Sequence, residues 1–117
     1  MLLVDDDPDL LSMYEEVLYI EGVKILKATS GTEALELCKN NNNIQIIISD
    51  SNMGEMSGMI FLSNLRSYYE TMPVFYLLTG AFNVLESEVV EAGGSRLILK
   101  PFDLDEILER IKKDIKF

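Results

Sequence analysis

The fold is decided by the stretch IQIIISDSNMGEMSG, which covers residues Ile44–Gly58. Its first part is dominated by isoleucine, and a short run of β-branched residues is typical of a strand buried on both faces of a parallel sheet. The run ends at Asp50, and a loop rich in turn-forming residues follows. In open α/β sheets, this carboxyl end of a strand is the edge at which ligands bind. An isolated aspartate at such a place is more often a turn residue, so its interpretation depends on the rest of the chain.

The rest of the chain alternates between strand and helix patterns. Apolar runs predict strands at residues 2–4, 23–28, 44–49, 73–78 and 97–99, and helical apolar spacing predicts helices at 8–20, 31–38, 58–68, 84–92 and 104–115. The first helix would begin at Pro8 and close at Gly22, while Thr29 or Ser30 would cap the second helix and Asp103 the fifth. Five strands alternating with five helices predict a three-layer α/β sandwich around a parallel sheet with right-handed crossovers.

Composition limits both the architecture and the partners. With 117 residues, the chain is expected to fold as one domain. It has 10 Lys and Arg against 20 Asp and Glu, a formal charge of −10, which disfavours nucleic acid because phosphate binding needs cations. The sequence has no membrane-spanning apolar run and no basic-then-apolar leader, so it is expected to be soluble and cytoplasmic. Histidine is absent, which excludes imidazole chemistry in this chain, and the single Cys38 is expected to be a buried thiol.

Four of the five predicted strands end in a polar side chain. These side chains are Asp5 and Asp6, Asp50, Thr79 and Lys100, after the first, third, fourth and fifth strands. They are expected to lie together because parallel strands bring their carboxyl ends to one edge of a sheet. If the strand order is 2-1-3-4-5, as in flavodoxin-like folds, the first and third strands are neighbours about 5 Å apart. Three carboxylates would then share one small pocket.

Such a pocket needs positive charge. Two like charges about 4 Å apart repel by about 4 kcal/mol at an effective dielectric of about 20. Lys100 supplies one counterion, and a divalent cation is the natural second one. A site with only oxygen ligands suits Mg²⁺. Alternatively, the run Asp5–Asp7 only caps the first helix and interacts with its positive end, but the matching positions of Asp50 and Thr79 favour the metal site.

Over nearly its whole length, the chain resembles the receiver domain of two-component response regulators. The resemblance rests on four segments in the expected order: Leu2–Asp6 (LLVDD), Asp50–Gly58 (DSNMGEMSG), Leu78–Gly80 (LTG) and Lys100–Phe102 (KPF). It implies a flavodoxin-like (βα)5 fold and one receiver domain over residues 1–117. Such a domain is a signalling switch and not a turnover enzyme, although it assists its own phosphorylation and dephosphorylation.

The resemblance also implies roles for the residues at the strand ends. Asp50 would accept a phosphoryl group from a histidine kinase or a histidine phosphotransfer protein, a reaction in which a carboxylate nucleophile needs no general base. Thr79 and Lys100 would each contact an oxygen of the phosphoryl group. The implied Mg²⁺ ligands are Asp6, Asp50, the main-chain carbonyl of Asn52 and, through a water, Asp5.

Phosphorylation would become a signal through a conformational switch, again by resemblance. Thr79 would move toward the phosphoryl group and alter the face formed by the fourth helix, fifth strand and fifth helix. A downstream effector protein or domain would bind this face, and a phosphorylation-dependent homodimer could form through it. The Lys100–Pro101 peptide bond is expected to be cis. Two residues depart from the family pattern: Leu97 replaces an aromatic residue that usually rotates inward, and Gly54 replaces proline, which predicts a looser loop.

Two other functions stay open from the sequence. A pseudo-receiver would dock partners without phosphorylation, and Leu97 is the feature in its favour, whereas every acidic and cationic position of the site is retained. A Mg²⁺-dependent phosphatase with an aspartyl nucleophile usually has a second aspartate two residues after the first as general acid. Asn52 occupies that position and cannot donate and recover a proton, so the phosphatase is the less favoured of the two.

Overall fold

The computed structural model of the protein describes residues 1–80 and 84–115. Within these residues, five strands alternate with five helices, as predicted. The elements are β1 (Leu2–Val4), α1 (Pro8–Val17), β2 (Leu26–Ala28), α2 (Gly31–Asn40), β3 (Ile46–Asp50), α3 (Gly58–Leu65), β4 (Val74–Thr79), α4 (Glu86–Glu91), β5 (Arg96–Leu99) and α5 (Leu104–Asp114). None of the helices described is both long enough and apolar enough to cross a membrane.

The strands form one parallel sheet in the order β2-β1-β3-β4-β5. This order confirms the prediction, and it makes β1 and β3 neighbours. All five residues of β3 are buried, as expected for a central strand that is covered on both faces. β2 and β5 are the two edges of the sheet.

Helices cover both faces of the sheet and complete the predicted three layers. On one face, α2, α3 and α4 contribute Cys38, Phe61 and Val89 to a shared apolar core. On the other face, α1 and α5 contribute Leu11 and Ile111 to a second core. Cys38 is buried, as predicted, and burial raises the pKa of its thiol.

Two of the predicted helix caps are present. The hydroxyl of Ser30 accepts a hydrogen bond from the main-chain N–H of Glu33 at 3.0 Å, so Ser30 and not Thr29 caps α2. The carboxylate of Asp103 accepts a hydrogen bond from the main-chain N–H of Asp105 at 2.9 Å and caps α5. Each cap satisfies a donor that the first helical turn leaves without an intrahelical partner.

Several element boundaries differ from the prediction. β2 spans three residues and not 23–28, because its partner β1 offers only three residues for pairing. α1 ends at Val17, so Gly22, with a φ of 85°, lies in the following turn and does not close the helix. α3 and α4 are also shorter than predicted. α3 ends at its last buried residue, Leu65, and α4 ends two residues after its last buried residue, Val89. Pattern-based boundaries therefore overestimate these elements.

Candidate functional site

The polar residues predicted to cluster meet at one edge of the sheet. Asp50 and Thr79 are the last residues of β3 and β4, while Asp5 directly follows β1 and Lys100 directly follows β5. In the parallel register, the last residue of β1 lies beside the residue before Asp50. Asp5 therefore follows at the level of Asp50, as the predicted strand order required.

Three carboxylates share a small volume at this edge. Asp5, Asp6 and Asp50 each offer a carboxylate oxygen, and these oxygens lie within 4.8 Å of one another. Asp5 and Asp50 are buried, with only 2% and 5% of their surface exposed, whereas Asp6 is exposed. Two charges at that separation repel by about 3 kcal/mol at an effective dielectric of about 20. The cluster therefore favours the binding of positive charge.

The acidic run after β1 serves two purposes. Asp7 caps α1, because its Oδ1 accepts hydrogen bonds from the main-chain N–H groups of Asp9 at 3.0 Å and Leu10 at 3.4 Å. Asp5 and Asp6 instead contribute oxygens to the carboxylate cluster. The capping interpretation thus applies to Asp7 alone.

Lys100 brings a positive charge to the cluster. Its Nζ donates a hydrogen bond to Oδ1 of Asp50. Its main-chain N–H donates to the carbonyl oxygen of Thr79 at 2.8 Å, which fixes the end of β5 against β4. The Lys100–Pro101 peptide bond is cis, as expected. The end of β5 therefore directs an ammonium group to the carboxylate that β3 presents.

One buried oxygen of the cluster lacks a donor. Oδ1 of Asp5 accepts a hydrogen bond from the N–H of Asp7 at 2.9 Å, but Oδ2 has no hydrogen-bond partner within residues 1–80 and 84–115. Burial raises the pKa of Asp5, and repulsion from Asp50 adds to this effect. A buried polar atom without a partner is costly, and a hard cation would satisfy it. The donors are all oxygens, so the residues present fit Mg²⁺.

The loop after β3 holds Asp50 through main-chain contacts. The N–H of Asn52 donates to Oδ2 of Asp50 at 3.1 Å, and the N–H of Gly58 donates to the carbonyl of Ser51 at 2.9 Å. A side chain at Gly58 would bring its Cβ to 2.4 Å from the carbonyl oxygen of Asp50, so the close approach requires glycine. The sequence places Gly58 at the end of the Asp50–Gly58 segment and at the start of a helix, but it does not predict this supporting role.

The family model described as the response regulator receiver domain matches residues 1–112. The chain belongs to this family. Transcriptional regulatory protein GlrR of Escherichia coli (strain K12) is 33% identical over 112 residues, which are 95% of this chain and 25% of that protein. Transcriptional regulatory protein PrrA of Mycobacterium tuberculosis (strain ATCC 25618 / H37Rv) is 33% identical over 114 residues, which are 96% of this chain and 48% of that protein. The receiver domain thus spans between a quarter and a half of the length of these relatives.

Solved structures share the fold of this receiver domain. Chemotaxis protein CheY4 of Vibrio cholerae superposes with a TM-score of 0.83 at 26% identity, covering 97% of this chain and 96% of that one. A response regulator receiver domain protein from Clostridium thermocellum superposes with a TM-score of 0.86 at 28% identity, covering 97% and 91%. The predicted flavodoxin-like (βα)5 fold is confirmed.

Receiver domains of response regulators are signalling domains and not classical enzymes. The family binds Mg²⁺ at an acidic pocket, and it interacts with histidine kinases and with downstream effector domains. This receiver domain has a cluster of three carboxylates, from Asp5, Asp6 and Asp50. Thr79 is fully buried beside it. Leu97 is half-buried against the core formed with α2, α3 and α4.

Proposed function

We propose that this receiver domain, residues 1–117, accepts a phosphoryl group on Asp50 with Mg²⁺ and thereby switches the surface formed by α4, β5 and α5. The observation that carries the proposal is the ion pair of Lys100 and Asp50 inside a cluster of three carboxylates. Like charges held this close together oppose folding, and groups of this kind cluster at functional sites.

In this proposal Asp50 is the nucleophile. One of its oxygens accepts a hydrogen bond from Lys100 and the other from the N–H of Asn52, so its orientation is defined before a donor arrives. During transfer, an oxygen of Asp50 forms a bond to phosphorus while the bond from phosphorus to the donor's imidazole nitrogen breaks. The electron pair of the broken bond stays on that nitrogen. Positioning and charge neutralisation dominate such reactions, so this chain needs no histidine of its own.

The residues that would hold Mg²⁺ are Asp6, Asp50, Asn52 through its main-chain carbonyl and, through a water, Asp5. Bound Mg²⁺ neutralises negative charge on the phosphoryl oxygens. The unpartnered Oδ2 of Asp5 supports this assignment, because it is a buried carboxylate oxygen that no protein donor in the described residues satisfies and that a water on the ion would satisfy. Lys100 would pair with one further phosphoryl oxygen, and the hydroxyl of Thr79 would donate to another.

The proposed partners follow from the chemistry. A histidine kinase or a histidine phosphotransfer protein would supply the phosphoryl group, and a downstream effector protein or domain would receive the signal. The relatives GlrR and PrrA are named as transcriptional regulatory proteins, which supports an effector of that kind. The formal charge of −10 argues against nucleic-acid binding by this domain. We place the domain in the cytoplasm, where a phosphorylation-dependent homodimer could also form.

Labelling by a small phosphodonor tests the proposal. Incubation of the protein with Mg²⁺ and acetyl phosphate should give an acid-stable, base-labile adduct that Asp50→Asn abolishes. Asp105→Asn is the matched control, because it removes an exposed aspartate from α5 and should label like wild type. Equal labelling of wild type and Asp50→Asn would show that Asp50 is not the acceptor.

The pseudo-receiver is the second candidate, and Leu97 is the observation in its favour. The same labelling experiment separates the two functions, since a pseudo-receiver takes up no phosphoryl group in either wild type or variant. The phosphatase has less support, because Asn52 contacts Asp50 through its main-chain N–H and offers no side-chain acid.

A further inference from the structure

Helix α4 is held at both ends by hydrogen bonds that involve a side chain. At its first residue, Oε2 of Glu86 accepts a hydrogen bond from the main-chain N–H of Leu97 on β5 at 3.1 Å. At its last residue, the carbonyl of Glu91 accepts one from the guanidinium of Arg66 at 3.1 Å. Arg66 directly follows α3. The two contacts therefore join α4 to two neighbouring elements.

Apolar packing holds α4 less firmly than it holds the other helices. Of its six residues, all of which the structure describes, only Val89 is buried. Val89 lies against Gly94, where an added Cβ would come within 2.6 Å of its Cγ1. A helix of six residues is also too short to be stable without contacts to the rest of the domain. The position of α4 therefore depends strongly on the contacts at its ends.

The contact with β5 falls at the position where this family usually has an aromatic residue. β5 is an edge strand, so no further strand among the described residues is available to the N–H of Leu97. The carboxylate of Glu86 accepts that N–H instead. The side chain of Leu97 is half-buried against the core and has no hydroxyl to exchange between two environments. On β5, the group that makes the polar connection to α4 is therefore the main-chain N–H of Leu97 and not its side chain.

We propose that Glu86 is a positioning residue that holds α4 against β5 in the unphosphorylated domain, and that its bond to Leu97 is released when the domain switches. This inference rests on the proposed function, because it concerns the conformational change that follows phosphorylation of Asp50. Glu86 thereby provides a link between α4 and β5 that the side chain of Leu97 cannot provide.

A bond made in only one of two conformations shifts their populations. If Glu86 contacts Leu97 only in the resting conformation, its removal favours the switched conformation by the worth of one solvent-exposed hydrogen bond, about fivefold. A phosphoryl mimic that binds the switched conformation better must then bind the variant more tightly, by up to the same factor. Removal of Glu86 should thus raise the affinity of the acceptor site for the mimic, although Glu86 does not contact that site.

Titration with beryllofluoride, a phosphoryl mimic, in the presence of Mg²⁺ tests the inference when it is followed by backbone NMR. Glu86→Ala should reach half-saturation at a mimic concentration about fivefold lower than wild type needs. Its α4 and β5 resonances should already be displaced toward the saturated positions before the mimic is added. Glu86→Gln keeps an oxygen that can accept the bond, so its half-saturation should lie between those of wild type and Glu86→Ala.

Glu91→Ala is the matched control, because it removes the same charge from the same helix and leaves both main-chain contacts intact. If Glu86→Ala and Glu91→Ala titrate alike, the positioning role of Glu86 is wrong while the proposed function stands. If wild type shows no response that depends on Asp50, the proposed function is wrong and this inference is wrong with it. Thermal unfolding of each variant verifies the fold, which a substitution at the exposed Glu86 should preserve.

Discussion

Lys100 and Asp50 are joined by a direct hydrogen bond from Nζ to Oδ1, although they lie fifty residues apart in the chain. The pair connects the ends of β5 and β3, between which β4 lies in the sheet. A phosphoryl group on Asp50 would lie within hydrogen-bonding reach of this ammonium group. The same ammonium group repels a metal ion bound to the neighbouring carboxylates, so its removal should affect the two ligands differently.

Lys100→Ala should therefore weaken beryllofluoride binding by more than about tenfold, the usual worth of a charged hydrogen bond. Its affinity for Mg²⁺ alone should stay the same or increase, because one nearby positive charge is lost. Parallel titrations with Mg²⁺ and with the mimic measure both effects. Lys39→Ala, at an exposed position on α2, should change neither. An unchanged response of Lys100→Ala to beryllofluoride would refute the phosphoryl contact.

Gly54 should not tolerate proline, although proline is usual in the family at this position. Its φ is 79°, whereas the proline ring fixes φ near −65°. Gly54→Pro should therefore lower the free energy of unfolding by about 2 kcal/mol or more, and Gly54→Ala by about 1 kcal/mol. Urea unfolding measures both values. Gly80→Ala is the control, since Gly80 has no positive φ and no described residue lies within 4 Å of the position that an added Cβ would take. A stabilising Gly54→Pro would contradict the loop conformation described here.

Gly58→Ala should disturb both the fold and the site. The added Cβ would lie 2.4 Å from the carbonyl oxygen of Asp50 and 2.6 Å from Cδ1 of Leu77. Overpacking of this kind costs about 1–3 kcal/mol and would displace the end of β3. We expect lower stability in urea and slower labelling of Asp50 by acetyl phosphate in the fraction that is folded. Normal stability together with normal labelling would show that the loop can relax around the methyl group.

Asp114 should make stability depend on pH at the acid end. Arg96 donates to Oδ2 of Asp114 at 2.9 Å and Tyr76 donates to the same oxygen at 2.5 Å. These hydrogen bonds, chiefly those from Arg96, lower the pKa of Asp114. The unfolded chain then binds the proton more readily, so the contribution is present above the unfolded pKa of about 3.9 and is lost as the pH falls through the lower folded pKa.

Asp114→Asn should accordingly reduce the free energy of unfolding by about 1 kcal/mol at pH 7, a modest value because Arg96 is partly exposed. The difference from wild type should shrink as the pH falls below about 4. Urea unfolding at several pH values measures it. Glu36→Gln, an exposed substitution on α2, should have the same free energy of unfolding as wild type at every pH. A difference that grows at low pH would reverse the sign and contradict the interpretation.

The site was predictable because its residues sit at strand ends. The buried run before Asp50 identified β3, and the alternation of strands with helices implied a parallel sheet whose carboxyl ends meet. The order of the strands then brought Asp5 beside Asp50. Periodicity was sufficient for the strands and helices, and parallel-sheet geometry for the shared edge. The strand order came from the analogy with flavodoxin-like folds and not from local pattern.

Contacts between distant elements were not predictable in the same way. Glu86 and Leu97 belong to separate elements, and their bond depends on how α4 packs beside the sheet edge. The close approach of Gly58 to Asp50 depends on the path of a loop with a positive φ at Gly54. Sequence periodicity describes which face of an element is buried, but it does not describe the distance between two main chains.

Chemical mapping of the acceptor is the most direct measurement for the central claim. Borohydride reduces an aspartyl phosphate to homoserine, so protein labelled with acetyl phosphate and Mg²⁺ can be reduced, digested and sequenced by mass spectrometry. We predict homoserine at position 50 and unmodified aspartate at positions 5 and 6. Homoserine at position 5 or 6, or none at all in protein that carries the label, would contradict the assignment of Asp50 as the phospho-acceptor.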